Sequence, residues 1–179
     1  MAPDAQEPLA ELQLARHRDL LGRGHEHWGQ RIVTAVLVAF VLLAATNQFG
    51  QQPSTSTVST SAAAVTVSTP SRVRGGLIFQ TRVDVTARRT IRQPTLILSG
   101  GWFDGMTLNS VQPGPTSQAS VGSGLTLAYP RLPAGRSMTV WIEWSVNPTN
   151  LAWDRSEQLA LADQATTLLT VRRSVTVFP

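Results

Sequence analysis

The chain of 179 residues contains no cysteine and no lysine, and its three histidines all fall within the first 27 positions. Without Cys there are no disulfides, no thiolate zinc sites and no thiol nucleophile. Without Lys, all 15 basic residues are Arg. Beyond Gly50 the chain lacks His as well, so a Ser hydroxyl there has neither of the usual bases to take its proton, and zinc has none of its preferred ligands. The acids in that stretch are Asp84, Asp104, Glu143, Asp154, Glu157 and Asp163. They show no D-x-D-x-D spacing for a calcium loop and fall on solvent-facing strand positions or in turns. These absences predict a domain that is not an enzyme and that carries no cofactor and no metal. A net charge of +4 over 179 residues, without a dense basic cluster, excludes nucleic acid as the expected partner.

What the chain does contain is one long apolar run. Residues 32–49, from Ile32 to Phe49, carry no charge; 18 residues of helix rise about 27 Å, close to the lower limit for crossing a hydrocarbon layer. Trp28 and Arg31 before the run and Phe49 at its end are the residue types that anchor a helix at the membrane interface. A cleaved signal peptide is the competing reading, and three features speak against it: a long preceding segment, five acids within that segment, and no small-x-small cleavage site. Arg16, Arg18, Arg23 and Arg31 precede the run and the next Arg is Arg72. The asymmetry predicts a single pass through the plasma membrane with the N-terminus cytoplasmic and the C-terminal domain outside. Ala35 and Ala39 form a small-xxx-small pair that would support a weak homodimer through the helix.

Residues 1–31 form the expected cytoplasmic segment. A short helix is predicted over Asp4–Leu21, capped by Asp4 with Glu7 at capping-box spacing and Pro8 in the first turn, and ended by Gly22 and Gly24. His25 and His27 then fall in a loop. With His17 they make an incomplete ligand set, and no metal is expected. Residues 50–61, GQQPSTSTVSTS, read as a flexible Ser/Thr-rich linker.

Residues 62–179 read as an extracytoplasmic β-sandwich. In Leu77–Ala87 the residues Leu77, Phe79, Val83, Val85 and Ala87 share one face while Gln80, Arg82, Asp84 and Thr86 share the other. In Ser137–Asn147 the inward set is Met138, Val140, Ile142, Trp144 and Val146. Shorter strands are predicted at Ala62–Thr69, Thr95–Ser99, Met106–Val111, Leu125–Tyr129 and Gln158–Ala162. A last long strand or strand pair covers Thr167–Phe178, where Arg173 interrupts the apolar alternation and marks an expected bulge or edge. Seven or eight short strands between Gly- and Pro-rich turns describe an antiparallel immunoglobulin-like sandwich. The segment LAYPRLPAGRSMTVWIEWSVNP resembles the late strands of bacterial immunoglobulin-like envelope domains; the likeness lies in architecture and implies no functional residue.

The expected function is therefore a non-catalytic, single-pass membrane protein that presents its domain to a protein partner, or serves as accessory subunit of a membrane complex. An alternative is a binder of envelope carbohydrate or anionic polymer. The candidate contact surface combines aromatics and cations. Trp141 points outward by its strand parity, Trp102 and Phe103 lie in a Gly-flanked turn, and Arg72, Arg74, Arg82, Arg88, Arg89 and Arg92 concentrate basic charge early in the domain, with Arg88, Arg89 and Arg92 as the candidate contacts. The expected partners are the lipid bilayer and this protein partner.

Overall fold

A computed structural model describes residues 24–46 and 51–179. They belong to two units that divide between Gln48 and Phe49. The predicted helix over Asp4–Leu21, His17 and the interfacial position of Phe49 lie outside the described residues.

The first unit contributes helix α1, Gly24–Ala45, of 22 residues. His25 and His27 are thus part of a helix and not of a loop: the run of residues from His25 to Ala45 contains no proline, and Gly24 begins the helix where it was expected to end one. Trp28–Ala45 is long and apolar enough to cross a membrane. Its side chains are exposed all round, Trp28 included. A helix that is apolar on every face matches a lipid environment, whereas a helix on a soluble core keeps one polar side.

The second unit is mostly β, a curled mixed sheet of ten strands. In chain order these are β1 (Gln52–Ser59), β2 (Ala63–Arg74), β3 (Ile78–Ala87), β4 (Pro94–Leu98), β5 (Met106–Gln112), β6 (Ser117–Val121), β7 (Gly124–Ala128), β8 (Ser137–Val146), β9 (Ala152–Asp163) and β10 (Thr166–Phe178), with a 3-10 turn at Gly100–Trp102. The order across the sheet is β5-β8-β3-β2-β10-β9-β4-β7-β6, and β1 pairs with β2.

Ten strands replace the expected seven or eight. One addition is β1, in the stretch expected to be a flexible linker. Thr and Val are β-branched and suit a pleated surface. Cross-strand hydroxyl pairs, Thr55 with Ser68 at 3.3 Å and Thr57 with Thr66 at 3.0 Å, join β1 to β2. The other is β6, whose five residues are all exposed, so it carries no apolar alternation by which to be recognised. The sheet is also not purely antiparallel: β10 runs parallel to β2 at Arg72–Arg74. β2 achieves this by changing neighbours. Ala63–Ser68 pairs with β3, and beyond Pro70 the strand pairs with β10. Proline has no N–H to give a ladder, so it sits where one partnership ends.

The curl brings the inward faces of β2, β3 and β8 against those of β4, β9 and β10 in one core. Val65, Val67, Val83, Val85, Val140, Ile142 and Trp144 supply one side, and Leu96, Leu98, Leu159, Leu161, Val171 and Val175 the other. The alternation expected for β3 and β8 holds at these positions. Leu77 departs from it: β3 begins at Ile78, and Leu77 lies exposed in the preceding turn.

Candidate functional site

The outward face of β8 carries Trp141, a residue 42% exposed. Its register partners are Arg82 on β3 and Gln112 on β5, so one aromatic stands between a cation and an amide on neighbouring strands. The Arg82 guanidinium lies 5.3 Å from the Trp141 ring centroid, a cation–π contact. Arg82 is held there by Asp84, whose Oδ2 is 2.9 Å from Arg82 Nε. Asp84 is itself fixed by Thr139, whose hydroxyl donates to Oδ1 at 2.6 Å. One indentation of about 420 Å³ lies on the β1 and β2 side of Trp141, between Pro53, Ser68, Pro70 and Arg82. Another of about 180 Å³ lies on the β5 side and is lined by Gln80, Ser110, Gln112 and Glu143. The ring thus forms the ridge between a larger, mainly apolar hollow and a smaller polar one. This arrangement offers a flat apolar surface with hydrogen-bonding groups on both sides, which is the chemistry of a contact surface.

The other expected contact residues go elsewhere. Trp102 is fully buried, because the 3-10 turn folds it under β9. Its Nε1 donates to the Gln158 carbonyl at 3.0 Å, and its ring stacks on Trp144 at 5.5 Å between centroids. The expectation that Trp102 lies on a contact surface is therefore corrected. Gly101 makes the burial possible: a Cβ there would meet the Ser156 carbonyl oxygen at 2.2 Å, so only glycine permits so close an approach to β9. Phe103 is half-buried and packs edge-on against Trp144 at 5.4 Å. Arg88, Arg89 and Arg92 are exposed, but in the loop that follows β3. Arg88 Nη1 donates to the Thr60 carbonyl at 2.9 Å. At about 3.3 Å per strand residue, Arg88 stands roughly 20 Å along the strand from Arg82. These cations do not join the Trp141 face.

A second polar cluster sits inside the core. Glu157 on β9 and Arg173 on β10 are register partners, and both occupy inward positions. Arg173 therefore keeps the alternation it was expected to break; there is no bulge at this residue, and the register shifts lie at Thr167/Leu169 and Val175/Val177. The Arg173 Nη1–Glu157 Oε2 distance is 3.2 Å, with Glu157 side-chain exposure of 1%. Arg173 also donates through Nη2 to the Pro70 carbonyl, where β2 changes neighbours, and its guanidinium lies 5.4 Å from the Trp102 ring centroid. Neither Glu157 oxygen receives an aligned hydrogen bond among the described residues. Burial pushes the Glu157 carboxyl up to about 7, although Arg173 and Arg155 both pull it down. Burial likewise lowers Arg173, and Glu157 opposes that shift. Sequence reasoning placed Glu157 on the surface. The signal that could have found the pair is an acid and an arginine at apolar-parity positions of two successive strands.

Among the described residues no group of three or more His, Asp or Glu side chains is placed to hold a metal ion. No protein-family model matches the chain, and no curated protein is significantly similar to it. Among the solved structures that align with the chain, two are similar to it at a low level. One, titled "AvmM Catalyzes Macrocyclization in Alchivemycin A Biosynthesis", is 9% identical, with a TM-score of 0.41 over 73% of this chain and 90% of its own. The other, a non-cellulosomal cohesin from the hyperthermophilic archaeon Archaeoglobus fulgidus, is 11% identical, with a TM-score of 0.40 over 72% of this chain and 92% of its own. The first bears on the expectation that the domain is not an enzyme. That protein catalyses a reaction, so the exclusion is corrected and withdrawn, while a likeness at this level assigns neither a fold nor a reaction to this chain.

Proposed function

We propose that this is a single-pass protein of the plasma membrane, N-terminus cytoplasmic, whose extracytoplasmic β domain, of immunoglobulin-like sandwich type, docks a protein partner through the Trp141 face. The observation that carries the docking reading is the half-exposed Trp141 ring with Arg82 held over it. Trp and Arg are among the residues most enriched at interface hot spots, and a tryptophan left 42% exposed still has apolar surface to bury. The orientation rests on four arginines before the apolar run that starts at Ile32 against none between that run and Arg72.

Recovery of partners by the full-length chain from solubilised membranes tests the reading. Trp141→Ala is expected to weaken the specific partner by about 2 kcal/mol or more, roughly 30-fold, while shifting domain stability by only about 0.5 kcal/mol. Equal recovery by the variant and the parent rules out this face.

The amide, hydroxyl and carboxylate groups around the ring, Gln80, Gln112, Ser110 and Glu143, favour one further reading, a binder of envelope carbohydrate or anionic polymer. Retention of the full-length chain on isolated cell-wall material separates the two. Trp141→Ala and Gln112→Ala each reduce retention under the carbohydrate reading, and leave it unchanged under the protein one.

A further inference from the structure

The most exposed aromatic of the β domain is Trp153, at 82%. It shares one end of the domain with other exposed apolar side chains. Leu151 is 66% exposed and Ile78 is 60% exposed, and Leu77 precedes Ile78 in the turn after β2. The backbone ties them together. Gly75 N–H donates to the Phe178 carbonyl, Val146 N–H donates to the Leu77 carbonyl, and the Trp153 and Phe178 rings meet edge-on at 6.4 Å.

Trp153 is exposed because the backbone turns it out. Along β9 the inward residues are Arg155, Glu157, Leu159 and Leu161, an odd-numbered series that, continued backwards, puts Trp153 in the core. Asp154 interrupts it with a φ of 52°, opposite the register shift at Val175/Val177. Left-handed backbone at a non-glycine residue is strained, and bulges of this kind re-aim side chains. The result is Ala152 packed against the core and Trp153 in solvent.

The same end of the domain receives the chain from α1. Gln51 Nε2 donates to the Ile78 carbonyl at 3.2 Å. Ala45, the last residue of α1, is six residues earlier. Six residues extend at most about 21 Å, so the chain between the apolar helix and Gln51 is no longer than that. Around the exposed apolar side chains are Asn147, Thr149, Asn150 and the exposed Arg74, with Asp154 and Asp104 as acids of this end. Tryptophan and aliphatic side chains among small polar groups and an arginine suit the headgroup region of a bilayer. Arg88, Arg89 and Arg92 stand beyond the opposite end of β3, roughly 30 Å away by strand rise.

We propose that the end of the β domain bearing Leu77, Ile78, Leu151 and Trp153 inserts into the bilayer headgroup region as a second, peripheral membrane contact. This rests on α1 spanning that bilayer. It gives the domain a fixed orientation on the membrane, with the loop after β3 pointing away.

Because the chain has no cysteine, a single introduced cysteine carries a unique spin label. The full-length chain is reconstituted in phosphatidylcholine–phosphatidylglycerol vesicles with a nitroxide at Val38→Cys, Leu151→Cys or Arg89→Cys, and collisions with oxygen and with an aqueous nickel chelate are compared. The proposal expects an apolar environment at position 38 and an oxygen-to-chelate ratio at 151 at least about threefold above that at 89, since oxygen partitions into lipid. Trp emission supplies a second readout: a component removed by Trp153→Phe is quenched by lipids brominated near the headgroup. If 38 is in lipid but 151 matches 89, the peripheral contact is overturned and the anchor stands. Shielding of 151 from both reagents, as by a second copy, overturns it too. An aqueous signal at 38 overturns both readings.

Discussion

Arg173→Met is expected to destabilise the β domain by about 3–5 kcal/mol, read as a lowered denaturant midpoint of the full-length chain in detergent. At about pH 8 Glu157, inaccessible to water and without its ion-pair partner, must either stay charged alone or hold a proton far above its ordinary range, and the Pro70 carbonyl loses its donor at the point where β2 changes neighbours. Replacing both partners, as Glu157→Leu with Arg173→Met, recovers most of that loss or all of it, because a buried pair barely offsets its own desolvation and an apolar pair has none to offset. Arg155 keeps the Asp104 carboxylate, at 3.7 Å, in the double variant but loses the attraction of Glu157, which accounts for any part not recovered. A double variant as unstable as the single one would show that the hydrogen bond to Pro70, and not charge burial, dominates.

The parent chain carries a pH signature from the same cluster. Glu157 has a folded pKa of about 7 against an ordinary value of 4.5. Between those values the native carboxyl keeps its proton while the unfolded one releases it, so the native state binds more protons and stability falls as pH rises. The contribution is complete below the unfolded value and is lost on passing through about 7. Denaturant midpoints at about pH 5 and about pH 8 should therefore decline in that order, and Glu157→Gln should flatten the decline. In Arg173→Met the charged form loses its nearest cation, which moves the decline to higher pH.

Trp144→Ala is the second large effect, about 3–5 kcal/mol. Trp144 is fully buried, stacks on Trp102 and meets the edge of Phe103, so its removal opens a cavity that three elements must collapse to fill. Trp144→Phe should cost less than half as much. The ring contact survives in part, and the indole N–H that the variant removes is buried without a hydrogen-bond partner among the described residues. Thermal unfolding followed by near-ultraviolet circular dichroism checks both, since the Trp pair dominates that signal. Equal losses for Phe and Ala would place the stabilisation in the indole's shape and not in its burial.

Strand parity was legible wherever one face met the core and the other met water. In β3 and β8 this alternation marked Val83, Val85, Val140, Ile142 and Trp144 as inward and Trp141 as outward. It was illegible in β1 and β6, where Ser, Thr, Gln and Gly-flanked residues have no apolar side to reveal a period. At the candidate site, the exposed Trp141 could be read from the sequence, but its Arg82 partner is a cross-strand neighbour 59 residues away, and register is not written in either strand alone.

By itself the sequence determined the apolar helix and the β character of the domain C-terminal to it, because both rest on local composition and on periods of a few residues. Tertiary structure alone decided that Trp102 is core, since that depends on a glycine turn passing close under β9. It alone made Arg173 and Glu157 a buried pair, since two residues 16 apart meet only through the β9–β10 register. It alone turned Trp153 outward, through one left-handed backbone angle at Asp154 that no alternation of residue types foretells.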